Sequence, residues 1–565
     1  NNYYFEQLIH AIFNAYNERP TTLIQQDIQK KQLPNTWFLS NEIVGMSLYV
    51  DRWNKNLQGL QNTIPYFKEL GVNLIHIMPI MECPPNENDG GYAVSNFKNI
   101  DARFGNMDDF ILLQQAFKKA GIYVMLDIVL NHTSNQHQWA LEAKKGNQQF
   151  IDYYYFYKDR TLPNQFDLYM PEIFPESSPG NFTYIPELQQ YVMTVFHSYQ
   201  WDLNYTNPAV LIEMLNNIFY YANLGIDILR IDAPAFIWKE LGTTCQNLPQ
   251  AHTLLKIIKL CVQIATPGMA LLGEAIVAPS FIMEYFGKNE YAGKECDFAY
   301  NATLMALQWD ALATKDVRIL NYSQHELQQK PLHTSWITYT RCHDDIGLGY
   351  ADHYIHQAGF NAYLHRQFIK NYYIGNIENS NATGFLFAFN EKTQDARISG
   401  SLAALCGLEK AIKNNNEFLI NESIDKIILM QAMGFLVGGI PMIFYGDELG
   451  YCNDYSYLHD STKNYDNRWT HRPIIDWQKN EKRKNKNAIE YRIFTALQQI
   501  IFLRKKQTCF TDTNNIIWIN PHNIHVTGFI RFNKKTTVYC IFNFNNQESF
   551  LTWYAFKEQP KTPTL

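Results

Sequence analysis

The chain has 565 residues, 46% of them hydrophobic, and that content excludes disorder for its bulk and allows a large core. Charged residues make up 18% and aromatics 15%, and the net charge is −6 with no Lys/Arg-rich stripe, which argues against nucleic acid as the main partner. The longest apolar stretch, Gly434 to Tyr445, is too short and too rich in glycine to span a bilayer.

Residues 1–40 read as a short helical segment, with Leu8, Ile9, Ile12 and Phe13 at helical spacing. From Ile43 the texture changes. Ile43 to Val50 is a nearly continuous apolar run, an amphipathic helix is predicted over Leu57 to Leu70, and Asn73 to Met78 is a second apolar run. The helix Met107 to Ala120 leads into the strand Ile122 to Ile128. The unit recurs: helix Pro208 to Asn223 before strand Ile226 to Ile231, helix Ala251 to Ala265 before strand Met269 to Gly273. A strand follows at Ser335 to Thr340, and helix Ile424 to Met433 precedes strand Met442 to Tyr445. Continuous apolar strands alternating with amphipathic helices mean parallel strands covered by helices. Seven strand starts are visible and at least one more is hidden. The fold class is therefore α/β, a (β/α)8 TIM barrel. Its parts are expected at 41–132, 207–347 and 411–510, with insertions at 133–206 after strand 3 and 348–410 after strand 7. The alternating runs after Thr511, such as Thr537 to Phe542, predict a C-terminal antiparallel β domain over 511–565.

Nine cysteines are scattered without a C-x-x-C pair, so neither a zinc site nor a disulfide framework is expected, and a cytoplasmic location is. The start, Asn1 to Gln7, has no basic segment followed by an apolar run; the missing Met leaves a trimmed secretory signal open.

In a parallel barrel the polar residues at the C-terminal strand ends face the active site. Here those ends carry Asp127 to His132, Arg230 and Asp232, Glu274, and His343-Asp344-Asp345. With a two-residue strand period, Arg230 and Asp232 point into the mouth and Asp227 points away. Taken singly, each has an ordinary explanation. Asp232 could be a helix N-cap, Glu274 a solvated loop residue, and His132 a core histidine. Their coincidence on one rim favours catalysis by paired carboxylates.

These stretches resemble the signature regions of the α-amylase family of glycoside hydrolases. Asp89 to Ser95, Gln200 to Tyr205, Ala235 to Lys239, Gln246 to His252, His343 to Gly347 and Arg468 to Pro473 are similar to the amylosucrase branch. The resemblance implies a retaining mechanism on sucrose, with Asp232 as nucleophile, Glu274 as acid and base, and Asp344 stabilising the transition state. Arg230 would keep Asp232 ionised by lowering its pKa, and His132 and His343 would hold sugar hydroxyls. Asp89 and Arg468 would pair to close the pocket, and Tyr92 would stack on the glucosyl ring. Asp345, Arg397, Phe196 and Phe174 would form the fructosyl side, and Arg366 would serve more distant acceptor subsites. The partners implied are sucrose and α-glucan or maltooligosaccharide acceptors, in a monomer or homodimer. Asn131 can bind calcium in many members, but this branch usually lacks that ion, so no metal and no cofactor is expected. Against the family pattern, the region before Asn35 is shorter than the usual helical N-terminal domain and the sequence stops at Leu565, before the last strands of the usual C-terminal sandwich, which leaves naturally short ends and truncation both open. Leu348 departs from the branch, which carries Trp there. A sucrose hydrolase, another α-glucosidase, a sugar isomerase of the same barrel and a catalytically dead scaffold are the alternatives; the presence of Asp232, Glu274 and Asp344 disfavours the last.

Overall fold

The computed structural model describes residues 2–32, 36–175, 178–277, 279–324, 330–552 and 554–557. Eight parallel strands close a barrel: β1 Gly45–Leu48, β2 Leu74–Ile77, β3 Tyr123–Val129, β4 Ile228–Asp232, β5 Ala270–Gly273, β6 Phe298–Tyr300, β7 Ser335–Tyr339 and β8 Ile440–Phe444. Each pairs with the next in chain order, and β8 returns to β1 through Gly45 opposite Met442. The close approach explains Gly45: a Cβ there would lie 2.0 Å from the Met442 sulfur.

The strand hidden in the sequence is β6. It is three residues long, Phe298-Ala299-Tyr300, and its two aromatics do not stand out in an aromatic-rich chain. The other strands are buried along nearly their whole length, which is why they read as unbroken apolar runs rather than alternating ones.

The helix Pro208–Asn223 forms where expected, with Asn207 capping it and Pro208 in its first turn. The segment from Leu57 to Leu70 is instead two helices, Leu57–Asn62 and Ile64–Leu70. Pro65 has no N–H to continue the first helix, so Thr63 ends it and the second starts afresh. Gly71, with φ of +92°, closes the second in the left-handed region.

Two helices precede the barrel, α1 Asn2–Asn17 and α2 Thr21–Gln32. The α2 residue Lys30 reaches Asp227 Oδ1 at 2.7 Å, so Asp227 serves the outer face while Arg230 and Asp232 serve the mouth. Between β3 and β4, the strand His132–Ser134 pairs antiparallel with Gln200–Asp202, next to a small three-stranded sheet. Between β7 and β8 lie the helices Asp352–Gln357 and Ala362–Tyr373 and the hairpin Phe385–Asn390 with Asp395–Ser399. The C-terminal sheet is antiparallel, with β9 Ile516–Ile519, β10 Val526–Phe532 and β11 Thr537–Asn543 in that order. Among the described residues no helix is long and apolar enough to cross a membrane.

Candidate active site

One cavity of about 970 Å³ opens at the C-terminal end of the barrel, and all fourteen residues singled out in the sequence line it. The strands explain the convergence. Asp232 ends β4, Glu274 directly follows β5, and His343, Asp344 and Asp345 follow β7. Arg366 and Arg397 come from the second insertion, Phe174 and Phe196 from the first, and Arg468 from the segment after β8.

Arg230, buried at 2% exposure, is the hub. Its Nη1 lies 3.1 Å from Asp232 Oδ1 and its Nη2 lies 3.5 Å from Glu274 Oε1, so one guanidinium touches both carboxylates. Nη1 also donates to Asp127, directly across the β3–β4 pairing, and Nε donates to the Tyr300 hydroxyl at 3.2 Å. Immediately after Asp232 the chain turns sharply. Ala233 adopts φ +45° and ψ +45°, a left-handed conformation costly for a residue with a Cβ. The turn aims the Ala233 N–H at Glu274 Oε2, 3.1 Å away. On the other side, a Cβ on Gly273 would meet the Cys296 sulfur at 3.1 Å, so the residue before Glu274 has little room to grow.

Burial raises the Glu274 carboxyl to about 7, with Arg230 opposing and Asp344 reinforcing the rise. Burial also raises Asp232, helped by Glu274, Asp127 and Asp344. The expectation that Arg230 holds Asp232 below its usual range therefore does not hold. The physical reason is burial, which outweighs a guanidinium that Asp232 also has to share. A single guanidinium faces Asp127, Asp232 and Glu274, and Asp127 takes its shortest contact.

Asp344 behaves differently. Burial pushes its carboxyl up, but His343, Arg468, Arg472 and Arg230 more than reverse that, to about 2. His343 is itself kept neutral by burial, its pKa down to about 3, so the guanidinium groups supply the positive charge. His343 is fixed by its neighbours: its Nε2 is 3.0 Å from the Tyr92 hydroxyl, and its carbonyl accepts from Arg472 Nε at 2.9 Å. Tyr92 stacks on the His343 ring at 12° between planes.

Asp89 and Arg468, 379 residues apart in sequence, meet at 3.3 Å between Oδ1 and Nη2. The same guanidinium reaches Asp344 Oδ1 at 3.3 Å and Asp466 Oδ2 at 2.8 Å. Burial opposes ionisation of Asp89, but His197, Arg468 and Arg472 outweigh it and hold the carboxyl well below its ordinary value. Phe174 stacks on His197, with centroids 4.8 Å apart, and Phe196 lies between His132 and Phe236 at 5.4 and 5.1 Å.

Across the mouth, Arg397 Nε lies 3.2 Å from Asp345 Oδ2. Arg366 lines the cavity, but its fork is occupied. Nη1 pairs with Asp352 at 2.6 Å and Nη2 donates to the Tyr350 carbonyl at 2.8 Å. It therefore braces the wall that carries Leu348 and Tyr350. Cys342, His343 and Asp344 form a group whose ligand atoms lie within 4.8 Å of one another, yet His343 Nε2 and Asp344 are already engaged by Tyr92 and Arg468.

The sequence did not single out Asp127, His197 or Asp466 as site residues. Asp127 acquires its role from sitting opposite Arg230 in the β3–β4 register, which no spacing reveals. His197 reaches Asp89 Oδ1 at 3.7 Å only because the first insertion folds back over the barrel. Asp466, two residues before Arg468, carries the weak signal of an acid next to a buried base.

Comparison with known proteins fits this geometry. The trehalose synthase/amylase TreS of Mycolicibacterium smegmatis is 28% identical over 397 residues, covering 70% of this chain and 60% of that protein. The glucosylglycerate phosphorylase of Spirochaeta thermophila is 29% identical over 279 residues, 48% of this chain and 44% of that one. The chain thus spans less than two thirds of the length of these curated relatives. Among solved structures, the sucrose 6F-phosphate phosphorylase from Thermoanaerobacter thermosaccharolyticum superposes with a TM-score of 0.67 at 19% identity, over 89% of this chain and 94% of that one, a likeness of fold. The family pattern described as "Alpha amylase, catalytic domain" matches residues 40–348, from before β1 to just beyond β7. By that match, and with a carboxylate at the ends of β4, β5 and β7, the chain belongs to the α-amylase family.

Proposed function

We propose that the protein is a retaining α-glucosyltransferase that takes its glucosyl group from sucrose and passes it to an α-1,4-glucan. The observation that carries the reading is one guanidinium touching Asp232 and Glu274 in a cavity that the paired Asp89 and Arg468 also line, a pair that would close its bottom. A closed bottom admits a single terminal glucosyl unit, which favours a small glucoside over the interior of a polymer.

In this mechanism Asp232 reacts as the carboxylate and Glu274, raised by burial to about 7, carries the proton. Asp232 attacks the anomeric carbon as Glu274 gives its proton to the glycosidic oxygen, and fructose leaves. The resulting glucosyl ester is then attacked by an acceptor hydroxyl, whose proton returns to Glu274, and Asp232 is released. The ionised Asp344, held down by Arg468 and Arg472, stabilises the positive charge that develops on the sugar ring. Asp345 and Arg397, paired in the cavity lining, would meet the leaving fructose and the incoming acceptor.

The acceptor decides the reaction class. The relatives include a trehalose synthase/amylase and a phosphorylase. With the same glucosyl ester, water would give hydrolysis, the retained sugar isomerisation, and phosphate phosphorolysis. The test incubates the protein with sucrose alone, with glycogen and with inorganic phosphate, then quantifies glucose, fructose, glucan and glucose 1-phosphate. Fructose release with glucan growth supports the proposal. Glucose equal to fructose identifies a hydrolase, and glucose 1-phosphate a phosphorylase. No fructose in any arm, with turnover of maltose instead, refutes sucrose as the donor.

A further inference from the structure

Lys239 lies beyond the 3₁₀ turn Pro234–Phe236 that follows β4, and its side chain is fully buried. Three oxygens from three segments surround its ammonium. Asp202 Oδ2 in the first insertion is 2.6 Å away, the Phe236 carbonyl 2.6 Å, and Asn131 Oδ1 at the end of the β3 loop 3.1 Å. Asp202 is brought there by strand pairing, directly opposite His132.

An ammonium only donates, so each of these oxygens meets it as an acceptor. It also settles which end of the Asn131 amide faces it, namely the oxygen. The amide NH2 then faces His132 Nδ1, 3.2 Å away. That nitrogen must accept, so the ring proton belongs on Nε2. There it meets the Tyr92 carbonyl at 3.2 Å, a group that only accepts. The chain of groups runs from a donor that cannot accept to an acceptor that cannot donate, and only one assignment of the amide and the imidazole satisfies both ends. Burial keeps His132 neutral, its pKa down to about 4, so the ring carries one proton whose position matters. His132 lines the cavity, and Lys239 does not.

We propose that Lys239 is a positioning residue which, through Asn131, fixes His132 in the Nε2–H tautomer and so sets the hydrogen-bonding face that the glucosyl side of the pocket presents. The consequence for catalysis rests on the proposed glucosyl transfer; the tautomer itself does not.

The test reads the His132 tautomer from ¹⁵N shifts of the labelled protein without substrate, the signal being assigned by its loss in His132→Gln. The wild type carries its proton on Nε2. Asn131→Asp replaces the donor facing Nδ1 by an acceptor, and the proton moves to Nδ1 or occupies both nitrogens. The double variant Lys239→Met with Asp202→Asn removes both charges, so that neither is left buried without its partner, and the Nε2–H form, then held by the Tyr92 carbonyl alone, gives way in part to the Nδ1–H form. Its kcat/KM falls by about tenfold on sucrose and on α-glucosyl fluoride alike, the value of one hydrogen bond on the shared glucosyl side. A wild-type ring protonated on Nδ1, an unaltered ring in either variant, or a loss confined to sucrose overturns the proposal. Absence of sucrose turnover with the expected tautomers refutes the proposed function and leaves the relay standing.

Discussion

Raising the pH should separate two donors that share a glucosyl group and differ in what leaves. Sucrose releases an alkoxide that needs the Glu274 proton, whereas α-glucosyl fluoride releases fluoride, which does not. Burial raises Glu274 to about 7. The form that donates is therefore present below about pH 7 and lost above it. The protonated fraction is about one half at pH 7, about one tenth at pH 8 and about one hundredth at pH 9. In barrier terms the step from full protonation to pH 9 is about 2.7 kcal/mol. Asp232 must be ionised for either donor, so any acidic limb is common to both and cancels in a ratio. The assay measures initial kcat/KM for fructose release and for fluoride release between pH 5 and 9. The ratio of sucrose to fluoride should fall about tenfold per pH unit above 7 and lie flat below 6. A ratio that stays constant from pH 6 to 9 would refute Glu274 as the proton donor.

The same carboxyl should cost stability. Its ordinary value is 4.5 and burial raises it to about 7, so the folded state holds the proton more tightly than the unfolded one. Stability of the wild type falls as the pH rises across that interval, by at most about 3.4 kcal/mol. Glu274→Gln should therefore be more stable than the wild type by about 2–3 kcal/mol at pH 8 and equal to it near pH 4, measured by urea unfolding at both values. Equal midpoints at pH 8 would contradict the burial argument. Asp232→Asn should lose essentially all turnover of sucrose while still binding it, and normal turnover in a clean preparation sinks its role as nucleophile. Arg397→Ala leaves Asp345 without its partner at 3.2 Å. It should reduce kcat/KM on sucrose by about tenfold and on α-glucosyl fluoride much less; equal losses would remove Arg397 from the leaving-group side. Asp89→Ala frees one arm of Arg468, which keeps Asp466 and Asp344. It should open the pocket bottom and shift the ratio of rates from sucrose towards malto-oligosaccharides, and an unchanged ratio would speak against a closed bottom.

Seven of the eight barrel strands were legible because each is buried on both faces and so appears as a short apolar run. The eighth, Phe298–Tyr300, was not, because three residues with two aromatics carry no period. Strand ends then pointed to Asp232, Glu274 and Asp344, since a parallel barrel presents that rim to its pocket. The break at Thr63 was readable in principle from Pro65, whose missing N–H stops the preceding helix.

Charge was harder to read than position. Arg-x-Asp at the end of β4 reads as a pair, but the tertiary register adds Asp127 and Glu274 to the same guanidinium, and burial then raises both catalytic carboxyls. The sequence by itself determined the strand–helix alternation and the residue types at each strand end, because these follow from local burial and periodicity. Only the tertiary structure decided which further charges share a partner: Asp89 with His197, Arg230 with three carboxylates, Lys239 with Asn131 and Asp202. Electrostatic energy depends on distance through space and on exclusion of water, and neither is written in the spacing along a chain.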